Sequence, residues 1–212
     1  MSLKSVETLA AEVARYATVA DFEAEAGGLD ALGVWLTELA AWNARLDLTA
    51  AKTIPELVEL MVGDALELAR VVPRGAVVVD VGTGAGAPGV GLACLRADLT
   101  IRLVEPLQKR CAFLRQVIGK VKRPGLTLQH GRLDAAHEAM GAASFVLSRA
   151  TFAPRDWLAE AVALVRPHAK IAVLLAKEDV PEDARATLVS SHPYALAFSG
   201  RERTIAVFER TP

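Results

Sequence analysis

The sequence predicts an α/β fold: a doubly wound, largely parallel sheet with a C-terminal antiparallel hairpin and an N-terminal helical extension. Three observations lead to this prediction. From about residue 73, short β-branched segments alternate with amphipathic helical segments. A glycine cluster follows the first of those segments, and the last two predicted strands are too close in sequence to enclose a helix. We expect an extension of residues 1–72 and a sheet domain of residues 73–212.

The extension is predicted from apolar residues that recur at helical spacing. They form one stripe, consisting of Trp35, Leu36, Leu39, Trp42 and Leu46. This position favours a core role for both tryptophans over a role as stacking platforms. A polar connector follows, and Thr53-Ile54-Pro55-Glu56 then has the form of a capping box, so another helix is expected from there to about residue 70.

Five parallel strands and a hairpin are expected after residue 73. The five strands are segments 77–80, 100–104, 126–129, 144–147 and 170–175, and the hairpin pairs 195–198 with 204–208. Helices are expected between the five strands, among them an amphipathic helix over 107–121. This order of elements is typical of class I methyltransferases, whose Rossmann-like fold binds S-adenosyl-L-methionine (AdoMet).

Composition favours a cytoplasmic protein without a bound metal. Hydrophobic residues make up 52% of the 212, yet no apolar run approaches the ~18 residues of a membrane span, and the first seven residues do not look like a signal peptide. The two cysteines and four histidines show no metal-ligand spacing. Net charge is −1, so charge alone does not indicate nucleic-acid binding, although residues 109–123 carry six Lys or Arg and no acid.

The glycine cluster, Asp80-Val81-Gly82-Thr83-Gly84-Ala85-Gly86, lies where the first strand turns into a helix. Glycine suits a sharp turn that approaches a ligand closely. Gly82, Gly84 and Ala87 also satisfy the looser dinucleotide fingerprint. Asp80 favours AdoMet, because an acid two places before the first glycine can meet the cationic amino-acid end of that cofactor. A nicotinamide enzyme and a purely structural loop remain the alternatives.

Two further acids fit a nucleoside. Glu105 closes the second strand and can accept hydrogen bonds from ribose hydroxyls, which AdoMet and NAD share, and Asp134 follows the third strand near an expected adenine amino group. With their neighbours, these residues make up the predicted cofactor site. Its members are Asp80, Gly82, Thr83, Gly84, Gly86, Pro88, Glu105, Pro106, Arg132, Leu133, Asp134 and Ser148.

The residues around this turn resemble the bacterial rRNA small-subunit methyltransferase G family, also called glucose-inhibited division protein B. The most specific blocks are the glycine cluster with its extension Ala87-Pro88-Gly89, and Lys109-Arg110 followed by Phe113-Leu114-Arg115-Gln116-Val117. Weaker matches are Trp42-Asn43, Leu46-Asp47-Leu48-Thr49, Ser148-Arg149-Ala150, Lys177 and Arg203. The resemblance runs from about residue 32 to the end. It implies AdoMet-dependent methylation of N7 of a guanine in 16S rRNA of the small ribosomal subunit.

Several positions depart from the family pattern. Where the family usually has Arg-His-Ile-Leu-Asp-Ser, this chain has Leu60-Met61-Val62-Gly63-Asp64-Ala65 and keeps only the aspartate. Asp47, Ser144 and Glu178 replace a usual Asn, Asp and Gly. The lost Arg and His are residue types expected near RNA or cofactor. The departures therefore concern the identity of the methyl acceptor more than cofactor binding.

Arg149 is the predicted catalytic residue, because it follows the fourth strand at the edge where open α/β sheets bind ligands. A guanidinium there can bind guanine O6 or a phosphate; the alternative is a structural arginine. Lys109, Arg110 and Lys177 join Arg149 as predicted RNA contacts, against the alternative of solvated surface charges.

Methylation of guanine N7 requires no general base, since N7 already carries a free lone pair. The residues after the fourth strand, Ser148-Arg149-Ala150-Thr151, do not match the Asn/Asp-Pro-Pro-Tyr type motif of exocyclic-amine enzymes. Cys94 and Cys111 fall within predicted helices, away from the strand ends where a nucleophilic cysteine would act. Three functions remain open: the N7 enzyme, a methyltransferase of another RNA or a small molecule, and a non-catalytic AdoMet-binding module.

Overall fold

A computed structural model describes residues 6–212. The first five residues of the predicted extension lie outside the described residues. The prediction about a signal peptide concerned residues 1–7 and so falls mostly outside them as well. The helices are α1 (Val6–Val19), α2 (Gly28–Leu46), α3 (Ile54–Val71), α4 (Gly89–Leu95), α5 (Gln108–Val121), α6 (His137–Ala142) and α7 (Pro154–Leu164). The strands are β1 (Val77–Val81), β2 (Thr100–Glu105), β3 (Leu126–His130), β4 (Phe145–Ser148), β5 (Lys170–Leu175), β6 (Ala186–Ala195) and β7 (Glu202–Arg210).

The strands form one seven-stranded sheet in the order β3-β2-β1-β4-β5-β7-β6. β1 to β5 are parallel, and β7 runs antiparallel to both β5 and β6. The chain winds outward from β1 through β2 to β3, then returns to place β4 on the other side of β1. This reversal leaves a crevice at the carboxyl ends of β1 and β4, where doubly wound sheets bind ligands. The predicted fold class is confirmed.

The first strand of the hairpin was placed wrongly from sequence. We expected 195–198, whereas β6 spans Ala186–Ala195 and the residues after it form the turn into β7. β6 is an edge strand whose residues are mostly exposed, Leu188 and Val189 among them. It also contains Pro193, and it lacks the alternation of buried apolar residues that an inner strand shows. The apolar Leu196 and Phe198 look strand-like for another reason: they pack on the helices, with Phe198 edge-on to Tyr16 at 4.7 Å between ring centroids.

Two apolar layers cover the sheet. α1 to α5 pack on one face and α6 and α7 on the other. The predicted capping box at the start of α3 is present, with Thr53 accepting from the Glu56 amide and Glu56 accepting from the Thr53 amide. Trp35 is fully buried as expected, and Trp42 is half-buried against Phe113. We retain residues 1–72 and 73–212 as a proposed division, although α1 to α3 share an apolar layer with α4 and α5.

Candidate functional site

The turn after β1 is fixed to the neighbouring strand by its backbone. The amides of Gly82 and Thr83 both donate to the carbonyl of Val104 in β2, at 2.9 and 3.2 Å. Gly82 has a φ of +70°, and a Cβ there would collide with the side chain of Thr151. Trp35 reaches the same turn from α2, where its Nε1 donates to the carbonyl of Ala85 at 3.0 Å. Position 82 therefore requires glycine, both for its positive φ and because a side chain would have no space beside Thr151.

Asp80 lies beneath this turn and is fully buried. Its Oδ2 accepts from the Thr83 hydroxyl at 2.7 Å and from the Gly89 amide at 2.9 Å, while its Oδ1 has no hydrogen-bond partner within residues 6–212. Burial raises the pKa of Asp80 to about 6, although the two hydrogen bonds and the charge of Arg149 act to lower it. A buried acceptor without a donor is costly, so this atom fits a cationic ligand group.

Glu105 is held between the glycine turn and the end of β2. It is 1% exposed, and its two carboxylate oxygens accept from the amides of Gly84 and Leu107, each at 2.9 Å. A carboxylate has about four acceptor positions, so about two of them remain for ligand hydroxyls. The side chain is therefore immobilised by the backbone before any ligand binds.

A cavity of ≈ 590 Å³ opens at the carboxyl ends of β1, β2 and β4. Its volume falls within the usual range for small-molecule sites. Five predicted cofactor residues line it, namely Gly82, Pro106, Arg132, Leu133 and Asp134. The other seven predicted residues are not part of its lining. Thr83 and Ser148, two of these seven, are buried, and the Ser148 hydroxyl donates to the Val81 carbonyl at 2.8 Å. The cofactor role of each residue stays a prediction.

Sequence reasoning missed part of this cavity. Thr151, Phe152 and Glu160 also line it. Phe152 is half-buried and stacks on Trp157 of α7, with 5.8 Å between ring centroids. An aromatic residue shortly after the fourth strand was the available signal for Phe152. Glu160 comes from α7, where no local pattern distinguishes it from an ordinary surface acid.

Arg149 follows β4 and turns toward the helical extension. Its Nη1 donates to the carbonyl of Leu60 at 2.7 Å and to Oδ2 of Asp64 at 2.9 Å. The side chain is 16% exposed, and its charge acts on Asp80. One nitrogen of this guanidinium, Nη1, therefore has the structural role that was the alternative to a functional one. Two of its five N–H donors are engaged within the described residues, and three remain.

The predicted RNA contacts lie in different surroundings. Arg110 is near the glycine turn, where its Nη1 would be 3.9 Å from a Cβ at Gly84. Lys109 is its exposed neighbour at the start of α5. Lys177 is exposed after β5, and no contact within residues 6–212 joins its side chain to the cavity. Further along α5, Lys120 is paired with Glu38 of α2 at 2.5 Å, so the basic face is partly neutralised.

Residues 6–212 contain neither a membrane-spanning helix nor a cluster of metal ligands. Across that range, every helix is too short or too polar to span a bilayer. Over the same residues, the His, Cys, Asp and Glu side chains form no group of three or more placed to hold a metal ion.

Solved structures with a similar fold include several methyltransferases. An O-methyltransferase from Bacillus cereus in complex with SAH superposes with a TM-score of 0.56 and 13% identity, covering 97% of this chain and all of that one. TrmN from Thermus thermophilus gives a TM-score of 0.51 and 15% identity over 79% of this chain, which spans 53% of TrmN. These likenesses show the class I methyltransferase fold.

Sequence relatives are more specific. A ribosomal RNA small subunit methyltransferase G from Myxococcus xanthus (strain DK1622) is 33% identical, covering 82% of this chain and 85% of that protein. The protein of the same name from Desulfotalea psychrophila (strain LSv54 / DSM 12343) is 30% identical, with coverage of 92% and 96%. Residues 29–201 match the family model described as rRNA small subunit methyltransferase G. The chain belongs to this family.

Proposed function

We propose that this chain is an AdoMet-dependent methyltransferase that methylates N7 of a guanine in 16S rRNA of the small ribosomal subunit. Membership of a family of rRNA small subunit methyltransferases supports the reaction class. The observation that carries the proposal in the structure is Oδ1 of Asp80, a fully buried acceptor without a donor in the described chain, next to the turn of a ligand-sized cavity.

The residues around the cavity match the parts of AdoMet. Asp80 would bind the ammonium group, and Glu105 would accept from the ribose hydroxyls with its remaining acceptor positions. Leu133 and Phe152 offer apolar surface to the adenine ring, with Asp134 as acceptor for its amino group. Bound AdoMet supplies a methyl group on a sulfonium, which is electrophilic without further activation. This set of carboxylate acceptors and apolar side chains therefore fits the cofactor.

The protein's part in the reaction is to orient and desolvate the acceptor. N7 of guanine has a free lone pair, so no side chain has to remove a proton before methyl transfer. Holding two reactants in the productive geometry supplies several kcal/mol of the rate enhancement. Arg149 would bind guanine O6 or a flanking phosphate with its three remaining donors, since a guanidinium can form two parallel hydrogen bonds.

Binding of rRNA would rely on cations around the same edge. Arg110 lies by the glycine turn and Lys109 next to it, and we propose that both bind phosphates together with Lys177. Such contacts release counterions, so RNA affinity is expected to fall steeply with salt. Net charge of −1 does not oppose this role, because the local distribution of charge, and not the total, determines where a protein attracts phosphates.

The test is transfer of labelled methyl from AdoMet to small ribosomal subunits that lack the N7 modification, followed by mapping of the labelled nucleotide. Labelling of one guanine at N7 is the expected result. Labelling of another RNA atom, or of protein-free rRNA alone at several positions, would replace the proposed acceptor with another. AdoMet binding without any transfer would reduce the chain to a cofactor-binding module.

A further inference from the structure

Asp64 is a buried carboxylate with three side-chain donors from two other parts of the chain. It is 2% exposed. Its Oδ1 accepts from the Tyr194 hydroxyl at 2.7 Å, its Oδ2 accepts from Nη1 of Arg149 at 2.9 Å, and Nη1 of Arg203 lies 3.0–3.1 Å from both oxygens. Burial and then the charge of Asp64 raise the pKa of Tyr194, so the phenol stays protonated and donates. Two guanidiniums and one carboxylate leave a local charge of +1.

Two other carboxylates of α3 also bind the hairpin. Glu67 accepts from His192 at 2.8 Å, and Glu59 accepts from the amides of Phe198 and Ser199 at 2.8 and 2.9 Å. The three acids therefore fasten α3 along β6 and the turn that follows it. Of the three, Asp64 alone also bonds a side chain at the carboxyl edge of the parallel sheet, within the part of the chain that is described.

We propose that Asp64 is a positioning residue, which holds the guanidinium of Arg149 at the end of β4 so that its free donors face the methyl acceptor. This inference rests on the proposed function. Two points fix the guanidinium, Oδ2 of Asp64 and the carbonyl of Leu60, and both engage the same nitrogen, Nη1. Restraint at one end of the planar group orients Nε and Nη2 without occupying them.

The position of Arg149 also affects Asp80, which lies under the glycine turn. The positive charge of Arg149 acts to lower the pKa of Asp80, and Glu105 is the other charged group that acts on it, in the opposite direction. Thr151 also connects the two segments, since its hydroxyl lies 3.3 and 3.2 Å from the carbonyls of Arg149 and Gly82 and shares its one proton between them. Release of Arg149 from Asp64 would therefore change the pKa of Asp80, whereas loss of the Glu67 carboxylate would not.

The first test compares Asp64→Asn with the matched variant Glu67→Gln. Both remove a carboxylate of α3 that binds the hairpin, but only the first frees Arg149. We expect single-turnover methylation of small subunits to fall about tenfold in Asp64→Asn and less than twofold in Glu67→Gln. In an Arg149→Ala background, Asp64→Asn should cause no further loss, because the two act as one unit. Equal losses in the two single variants, or additive losses in the double variant, would overturn the proposal.

A second measurement does not depend on the acceptor. The charge of Arg149 favours the ionised form of Asp80, and this charge is displaced when Asp64→Asn releases the guanidinium and absent in Arg149→Ala. The pH at which AdoMet binding weakens on acidification should therefore move upward in both variants. It should stay in place in Glu67→Gln. If the wild-type chain methylates no small subunit, the proposed function fails, and this binding profile alone decides the role of Asp64. An unmoved or lowered profile in Asp64→Asn would reject it.

Asp64→Asn leaves two guanidiniums without their anion, which endangers folding. The variant Asp64→Asn with Arg203→Gln removes one cation together with the anion and keeps the local charge at +1. It takes the place of the single variant in both measurements if that one does not fold. Arg203→Gln alone is then the control, and it should retain the wild-type position of the AdoMet binding profile.

Discussion

Asp80 and Asp64 are both almost completely buried, yet their surroundings differ. Asp64 lies in the helical extension and is bonded through both oxygens by two guanidiniums and a phenol. Asp80 lies under the glycine turn, bonded only by the neutral donors of Thr83 and Gly89 through one oxygen. Its other oxygen lacks a partner in the described chain.

The difference separates a carboxylate that organises the protein from one that awaits a ligand. A satisfied buried charge holds its partners in place, and removal of any partner leaves an uncompensated group. An unsatisfied one lowers the stability of the free protein and gains a partner only on binding. The unfavourable burial of Asp80 is thus a cost to the fold that cofactor binding would offset.

The largest expected effect tests Asp80 itself. In Asp80→Asn, AdoMet affinity at pH 8 should fall about 100-fold, because a hydrogen bond between charged groups is replaced by a neutral and partly repulsive contact. Isothermal titration calorimetry measures the change. Asp183→Asn, which removes a carboxylate paired with Arg185 in the loop before β6, is the control and should bind AdoMet as the wild type does. Equal affinity in wild type and Asp80→Asn would show that Asp80 is not the ammonium site.

The same variant should stabilise the free protein. The pKa of Asp80 is raised from 3.8 to about 6, so the folded state holds this proton more tightly than the unfolded state. Stability from this group is therefore lost as pH rises between about 4 and 6, and the loss is complete above that window. Asp80→Asn should raise the free energy of unfolding by about 3 kcal/mol at pH 8 and leave it nearly unchanged at pH 4. Urea unfolding at both pH values tests this, and a gain of the same size at pH 4 would contradict it.

The other side of the comparison is tested at Arg149. Arg149→Ala should lower turnover on small subunits about tenfold while AdoMet affinity at pH 8 stays within about threefold of wild type. Arg203→Ala is the matched variant, because it removes the other guanidinium from Asp64. Both should lower the unfolding midpoint, but Arg203→Ala should retain more turnover. Loss of AdoMet affinity in Arg149→Ala at pH 8 would remove this residue from the acceptor side of the site.

Local signals in the sequence predicted the parts of the site that lie on one turn. Asp80, its glycines and the capping box of α3 each follow from residue types at short, fixed spacing. The network around Asp64 could not be predicted this way. Its partners Tyr194 and Arg203 lie 130 and 139 residues away, and only the pairing of α3 with the hairpin brings them together.

The hairpin shows the physical reason more directly. β6 begins nine residues before the predicted start because its residues are mostly exposed and show no buried apolar alternation, whereas the apolar Leu196 and Phe198 after it pack on α3 and α1. Long-range packing, not strand propensity, determined that pattern. The prediction of charged surfaces from sequence has the same limit. All charged residues within 109–123 are basic, but Lys120 is paired with Glu38 from another helix. Which of the basic residues remain available for RNA follows only from the fold.

The smallest expected effects concern these surface cations. Lys109→Ala and Lys177→Ala should each weaken binding of small-subunit RNA about two- to threefold at 0.15 M salt and reduce the slope of log affinity against log salt by about one. Lys120→Ala is the matched control, since its charge is already paired with Glu38 at 2.5 Å, and it should change neither quantity. Filter binding over a salt series measures both. If the salt slope of Lys177→Ala equals that of Lys120→Ala, Lys177 does not bind RNA. The RNA-binding surface is then confined to the region of Arg110 and the glycine turn above Asp80.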